Sequence, residues 1–203
     1  MKGWESVLLS DLESLKGPGT LRWSPVRRRF GITAFGINAY TAAEAGQDVV
    51  EEHTEETLRH EELYVVVAGH AMFSLGDEEL DAPAGTIVFL RDPTVKRAAK
   101  AVEPGTTVLA VGGEPGSHEP SEWESFFAAY AYADEGDPGR GLAEIEAALA
   151  EKPDSAVLLY HLACMNARLG RLDEARTALD RAVGLDPKFA KWAEDDDDLE
   201  PLR

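Results

Sequence analysis

The chain has 203 residues, a net charge of −18 and a pI near 4.6, enough length for one large domain or two small ones with a real core. Residues 1–120 carry −8 and residues 121–203 carry −10, so neither half is a basic module, and nucleic acid and anionic membranes are excluded as partners. Cys164 is the lone cysteine, which excludes an intramolecular disulfide framework and a cysteine-built zinc site. No apolar run approaches the ~20 residues of a membrane span, and Glu5, Asp11 and Glu13 interrupt any leader-like stretch; a cytoplasmic location is expected.

Trp4, Leu8, Leu12 and Leu15 recur at helical spacing ahead of Gly17-Pro18-Gly19, which predicts an amphipathic helix within residues 1–20. From residue 21 the pattern turns to short strands, at 26–30, 33–40, 47–52, 62–67, 71–75, 87–90 and 106–111. They are punctuated by Gly46, Gly69, Gly76-Asp77, Pro83-Ala84-Gly85, Asp92-Pro93 and Pro104-Gly105. Many short strands at even spacing predict an antiparallel sandwich or barrel across residues 21–118. Leu63, Val65 and Val67 alternate with Tyr64, Val66 and Ala68, so this strand is apolar on both faces. Its outer face needs a cover, which could be another sheet, the N-terminal helix or a second subunit; the last two are favoured, and a homodimer through that face is expected. Arg27, Arg28 and Arg29 are read as a salt-bridged surface strand.

Residues 119–203 turn helical and repeat themselves. Gly136 and Gly170, Ala129 and Ala163, Gly141 and Ala175, Ile145 and Leu179, Ala148 and Ala182, and Pro153 and Pro187 are each 34 residues apart. This resembles the tetratricopeptide repeat, whose period is 34 and which places small residues where its two helices cross. Leu159, Leu162, Ala163, Ala175, Leu179, Ala182 and Pro187 fill the second copy, where Asn166 replaces the usual aromatic residue; the first copy has Ser125 where a large apolar residue is usual. The resemblance implies two repeats and a protein partner; a third helix with Phe189 and Trp192 reads as a cap, and the charge run over 195–198 as a solvated acidic tail.

The chemistry-bearing stretch is 53–69, HTEETLRHEELYVVVAG. Gly46, His53, Glu62 and Gly69 resemble the first cupin motif, G-x5-H-x-H-x3,4-E-x6-G. The second motif, G-x5-P-x-G-x2-H-x3-N, would begin at Gly85, and the likeness covers about residues 30–113. It implies an α+β chain: an antiparallel cupin-like barrel (double-stranded β-helix, or jelly roll) followed by a small helical domain. In cupins two or three His and a Glu hold one divalent metal. Here His53 comes one residue late, Glu55 takes the second His slot, and His60 stands just before Glu62. In the second motif Arg91 replaces Pro, Pro93 replaces Gly, Lys96 replaces the metal-binding His and Lys100 replaces Asn.

Two functions follow from these departures. In the first, the barrel binds a small, acidic molecule without catalysis. Its metal site is degenerate, Tyr64, Phe73, Arg91 and Lys96 contact the ligand, and Lys96 pairs with Glu62 where the metal would sit. In the second, the chain is a metal-dependent oxygenase or isomerase using His53, His60 and Glu62. The candidate metal ligands are His53, Glu55, His60 and Glu62, and the cofactor is either none or one zinc, iron or manganese ion.

Overall fold

Alternating apolar side chains between Gly36 and Gly113 fold into two antiparallel sheets facing one core. The computed structural model describes residues 6–203 except 18 and 33. The strands are β1 (Leu15–Lys16), β2 (Arg22–Ser24), β3 (Gly36–Thr41), β4 (Asp48–His53), β5 (Glu61–Ala68), β6 (His70–Leu75), β7 (Glu78–Pro83), β8 (Ile87–Leu90), β9 (Arg97–Ala101) and β10 (Thr107–Gly113). One sheet has the order β1-β2-β3-β10-β5-β8, the other β4-β9-β6-β7. The pairing is nested: β3 with β10, β4 with β9, β5 with β8 and β6 with β7. A hairpin folded double and rolled gives this order, as the jelly-roll expectation requires, but the sheets do not close into a barrel. The core between them comes from Tyr64, Val66, Val88, Leu90 and Val108 on one side and Val49, Ala71, Phe73, Ala99 and Ala101 on the other.

Three local expectations need correction. Residues 26–30 form a short helix, α1 (Val26–Phe30), ended by Gly31 in the left-handed region at φ 66°, with the Gly31 amide donating to Arg27 O. Gly31 adopts that conformation without a Cβ penalty, so the arginines lie on a helical turn and not on a strand. In the N-terminal segment, Trp4, Glu5 and Pro18 lie outside the described residues. Leu9–Asp11 forms a single 3-10 turn, and Leu15 is in β1, paired with Trp23, so helical spacing loses to strand pairing there. Thr33 also lies outside the described residues. β7 (EELDAP) and β9 (RAAKA) are strands without an apolar run, β7 formed by pairing with β6 and β9 by pairing with β4 and β6.

The chain divides into two compact units, residues 1–118 and residues 119–203. The second comprises α2 (Glu122–Asp134), α3 (Pro138–Glu151), α4 (Ala156–Arg168), α5 (Leu172–Leu185) and α6 (Lys188–Asp195), then a 3-10 segment, Asp197–Leu202. Asp137 caps α3 by accepting from the Arg140 amide at 3.0 Å, and Ser155 caps α4 through the Leu158 amide at 3.1 Å. Gly141 lies where α3 crosses α2: a Cβ there would stand 2.5 Å from the Ala129 carbonyl oxygen, so only glycine permits the approach. The 34-residue spacing thus marks a helix crossing. The acidic tail is not simply solvated. Asp196 accepts from the Tyr160 hydroxyl at 2.6 Å, and Arg168 bridges Asp198 and Asp134 at 2.7 and 2.8 Å. Leu199 and Leu202 are buried, so these contacts clasp the tail onto the helices. Cys164 is buried beside Asp196, and desolvation raises its pKa, which makes it a packed, inert thiol.

His161 stacks on Phe126 at 4.2 Å between ring centroids, and burial lowers its pKa to about 4. Unfolding returns it to about 6.5, so the unfolded chain binds the extra proton. Its stabilising contribution is therefore complete above pH 6.5 and is lost as pH falls toward 4, by up to about 3 kcal/mol. Unfolding of wild type and His161→Phe between pH 7.5 and 4 is expected to reveal this as an acid-dependent difference, steep in wild type and absent from the variant. Parallel pH profiles would refute it.

Candidate metal and ligand site

β4 ends at His53, β5 begins at Glu61, and the turn over residues 54–60 between them carries Glu55 and His60. The turn is anchored where the Glu55 amide donates to Pro93 O at 2.9 Å. Arg59 takes φ 57°, a left-handed conformation uncommon for a residue with a Cβ, and so reverses the chain immediately before His60. On β5 the strand period puts Glu62, Tyr64 and Val66 on the inner face. On β9, Arg97, Ala99 and Ala101 are inward, and Arg97 lies opposite His53 in the register.

These elements bring the four candidate metal ligands together. His53 Nδ1 lies 2.7 Å from the Glu51 carbonyl oxygen, so it carries the proton and Nε2 is left facing the carboxylates. Nε2 is 3.6 Å from Glu62 Oε2 and 3.7 Å from Glu55 Oε1, and His60 Nδ1 is 3.9 Å from Glu55 Oε2. Donor atoms of His53, Glu55 and Glu62 all lie within 4.8 Å of one another. Tyr64 donates its hydroxyl proton to Glu62 Oε2 at 2.6 Å. The Glu62 carboxylate raises the His53 pKa against the opposing effect of burial. Burial pushes Glu62 up, but His53, Tyr64 and Arg97 outweigh it and hold its pKa below the ordinary value. Burial, then Glu62, raises Tyr64, and burial followed by Glu62, Glu51 and Glu55 raises Tyr40.

The expected ligand contacts fare differently. Lys96 points outward and pairs with Glu52 at 2.7 Å, both side chains more than half exposed. Arg91 is exposed beside the outward ring of Phe89. Neither can anchor an acid within the sheets. Tyr64 and Phe73 are core residues with ring centroids 5.8 Å apart, and of these Tyr64 meets the cluster through its hydroxyl. The cation beside Glu62 is Arg97, fully buried, with Nε 3.4 Å from Glu62 Oε2. Adjacent residues of an extended chain face opposite sides, so the spacing count from Gly85 lands on Lys96 while the inward cation is its neighbour Arg97. An inward-facing register opposite His53 was the signal for Arg97, and it exists only once β9 is paired.

The donor set suits a divalent ion. Two ligands bound tetrahedrally at ~2.1 Å stand about 3.4–3.6 Å apart, whereas hydrogen-bonded partners close to about 2.9 Å. The shortest observed separation, 3.6 Å, reaches the first range, and the other two, at 3.7 and 3.9 Å, lie just beyond it. Imidazole with two carboxylates suits zinc, iron or manganese.

A family model described as Tetratricopeptide repeat matches residues 132–194. Among solved structures, the chain is similar to a cupin protein from Bacteroides fragilis, with 18% identity over 61% of this chain and 94% of that one and a TM-score of 0.48. It is also similar to KdgF from Halomonas sp., at 16% identity over 52% and 90% with a TM-score of 0.43. A third is a sugar phosphate isomerase from a cupin superfamily, from Silicibacter pomeroyi, at 16% identity over 54% and 76% with a TM-score of 0.44. The chain joins a cupin-like β unit to a tetratricopeptide-type helical unit. No curated protein matches it. In the β unit Glu62 is faced from β9 by the buried cation Arg97. No described helix is long and apolar enough to cross a membrane.

Proposed function

We propose that the cupin-like unit holds a divalent metal ion at His53, Glu55 and Glu62, with His60 alongside, and binds a small molecule there. The observation that carries this reading is the convergence of two imidazoles and two carboxylates at 3.6–3.9 Å, too long for hydrogen bonds and at or just above ligand spacing. Glu51 O fixes the His53 tautomer, and Tyr64 orients the Glu62 carboxylate; such supporting contacts prepare a ligand set before the ion arrives. The ion, when bound, supplies Lewis acidity toward ligand oxygens. The tetratricopeptide-type unit contacts a protein partner, a reading supported by exposed Trp123, Phe127 and Trp192. Exposed Val67 on β5 and Ile87 and Phe89 on β8, on the outward face of the six-stranded sheet, support self-association of the β unit. The lone, buried Cys164 is compatible with the reducing cytoplasm.

Metal analysis of protein purified without chelator or nickel resin tests the site. About one zinc, iron or manganese per chain is expected in wild type, falling to trace in His53→Ala and Glu55→Gln. Wild type that carries no metal and takes up none on titration would overturn it. Arg97 favours a second reading, in which a protonated His53 and Arg97 balance Glu55 and Glu62 and the unit binds its ligand without metal.

A further inference from the structure

We infer that Arg97 seats a small monocarboxylate that binds only together with the metal ion, an inference that rests on the metal reading above. The Arg97 side chain is fully buried, and its Nε and Nη2 atoms have no hydrogen-bond partner among the described residues. Nη1 reaches the Pro93 carbonyl oxygen at 3.4 Å. Nε–H and Nη2–H form the lateral edge of the guanidinium, the fork that takes a carboxylate with two parallel hydrogen bonds. Its Nε lies 3.4 Å from Glu62 Oε2, so the fork is aimed into the metal cluster. That oxygen accepts from the Tyr64 hydroxyl at 2.6 Å, and it does not meet the Arg97 Nε–H in hydrogen-bonding geometry. Buried donors of a charged group require an acceptor. Solvent reaches the cluster on the side of His53 and Glu55, whose side chains are 27% and 16% exposed.

Charge decides what that acceptor is. Glu55 and Glu62 against Arg97 leave one negative charge when His53 is neutral, so an anion is repelled from the empty cluster. A divalent ion reverses this to one positive charge, which a single monocarboxylate neutralises. A neutral amide brings no charge, and a phosphate dianion overshoots. Metal and carboxylate therefore help each other bind, and by linkage the help is mutual. Arg97 acts on the two in opposite directions. It repels the ion and attracts the acid.

Isothermal titration of the metal-stripped full chain with Mn(II), in acetate and in acetamide as neutral control, tests this. Acetate is expected to tighten Mn(II) binding to wild type about tenfold, and acetamide to leave it unchanged. Arg97→Lys keeps the charge but loses the fork; it should bind Mn(II) with the acetate effect reduced to within about twofold. Arg97→Met should bind Mn(II) more tightly than wild type without acetate, and show no acetate effect. A purely structural arginine would weaken metal binding when removed and would leave the acetate effect where metal still bound. The wild-type titration stands even where a variant fails to fold. Mn(II) binding that is indifferent to acetate, or an acetate effect that survives in Arg97→Lys, overturns the inference alone. Failure of wild type to bind Mn(II) overturns the metal reading and takes the inference with it.

Discussion

Glu62→Leu is expected to destabilise the metal-stripped β unit by about 3–5 kcal/mol, the usual cost of removing one partner from a buried ion pair. The reason lies in what it leaves behind. Arg97 is fully buried with Glu62 as its counter-charge, and two of its nitrogens lack a hydrogen bond among the described residues. Without Glu62 the guanidinium would be an uncompensated charge between two sheets. Glu62→Leu combined with Arg97→Leu should recover much of the loss, because apolar side chains of similar volume often replace a buried pair without penalty. Lys96→Met provides the contrast. Its partner is Glu52, both groups are largely exposed, and a change within about 0.5 kcal/mol is expected. Urea unfolding, with hydrogen exchange at Tyr64 and Val66 assigning the transition, measures all three. A Glu62→Leu loss below about 1 kcal/mol, or a larger one for Lys96→Met, would reject the Arg97–Glu62 pairing.

The second large effect is expected from Gly69→Ala, about 3–4 kcal/mol, at the turn between β5 and β6. Gly69 takes φ 70°, in the left-handed region, which costs an alanine about 1–2 kcal/mol. An added Cβ would also stand 2.6 Å from the Thr106 Cα and Oγ1 and 3.0 Å from its amide nitrogen. Thr106 cannot yield readily. It is fully buried, its hydroxyl accepts from the His70 amide at 3.1 Å and lies 2.7 Å from Glu103 O, and its carbonyl accepts from the Ala42 amide at 2.9 Å. Gly76→Ala separates the two causes, since Gly76 has φ 61° with nothing near its missing Cβ. That variant should lose about 1–2 kcal/mol, the conformational part alone. Equal losses at the two positions in equilibrium unfolding would mean that the contact with Thr106 carries no weight.

Much of the fold was legible because its signals are local. Residues 87–90 read as a strand from four consecutive apolar residues between Gly85 and Asp92-Pro93, and β8 occupies those positions. The 34-residue repeat was legible because a helix crossing tolerates only small side chains, and Gly141, Ala129, Ala163 and Ala175 all lie at such buried positions. Strands such as RAAKA carry no such signal, since alanine and lysine have little preference for extended backbone. β9 is a strand because β4 and β6 hydrogen-bond to it on both sides.

The candidate site divides in the same way. His53, Glu55, His60 and Glu62 are close in sequence, and a turn between two strands was enough to suggest that they meet. The sequence by itself determined a two-part chain, its antiparallel strands and helical repeat, and this cluster of imidazole and carboxylate groups. Tertiary structure alone decided which cation faces Glu62. Lys96 and Arg97 are neighbours of like charge, and composition treats them alike. Strand pairing turns the first to solvent, beside Glu52, and the second into the core. It also decided that Asp196 and Asp198 clasp Tyr160 and Arg168, since partners 36 and 30 residues away meet only when the helices pack. Side-chain direction along a strand reverses with every residue, so one position of register separates a surface ion pair from a buried charge.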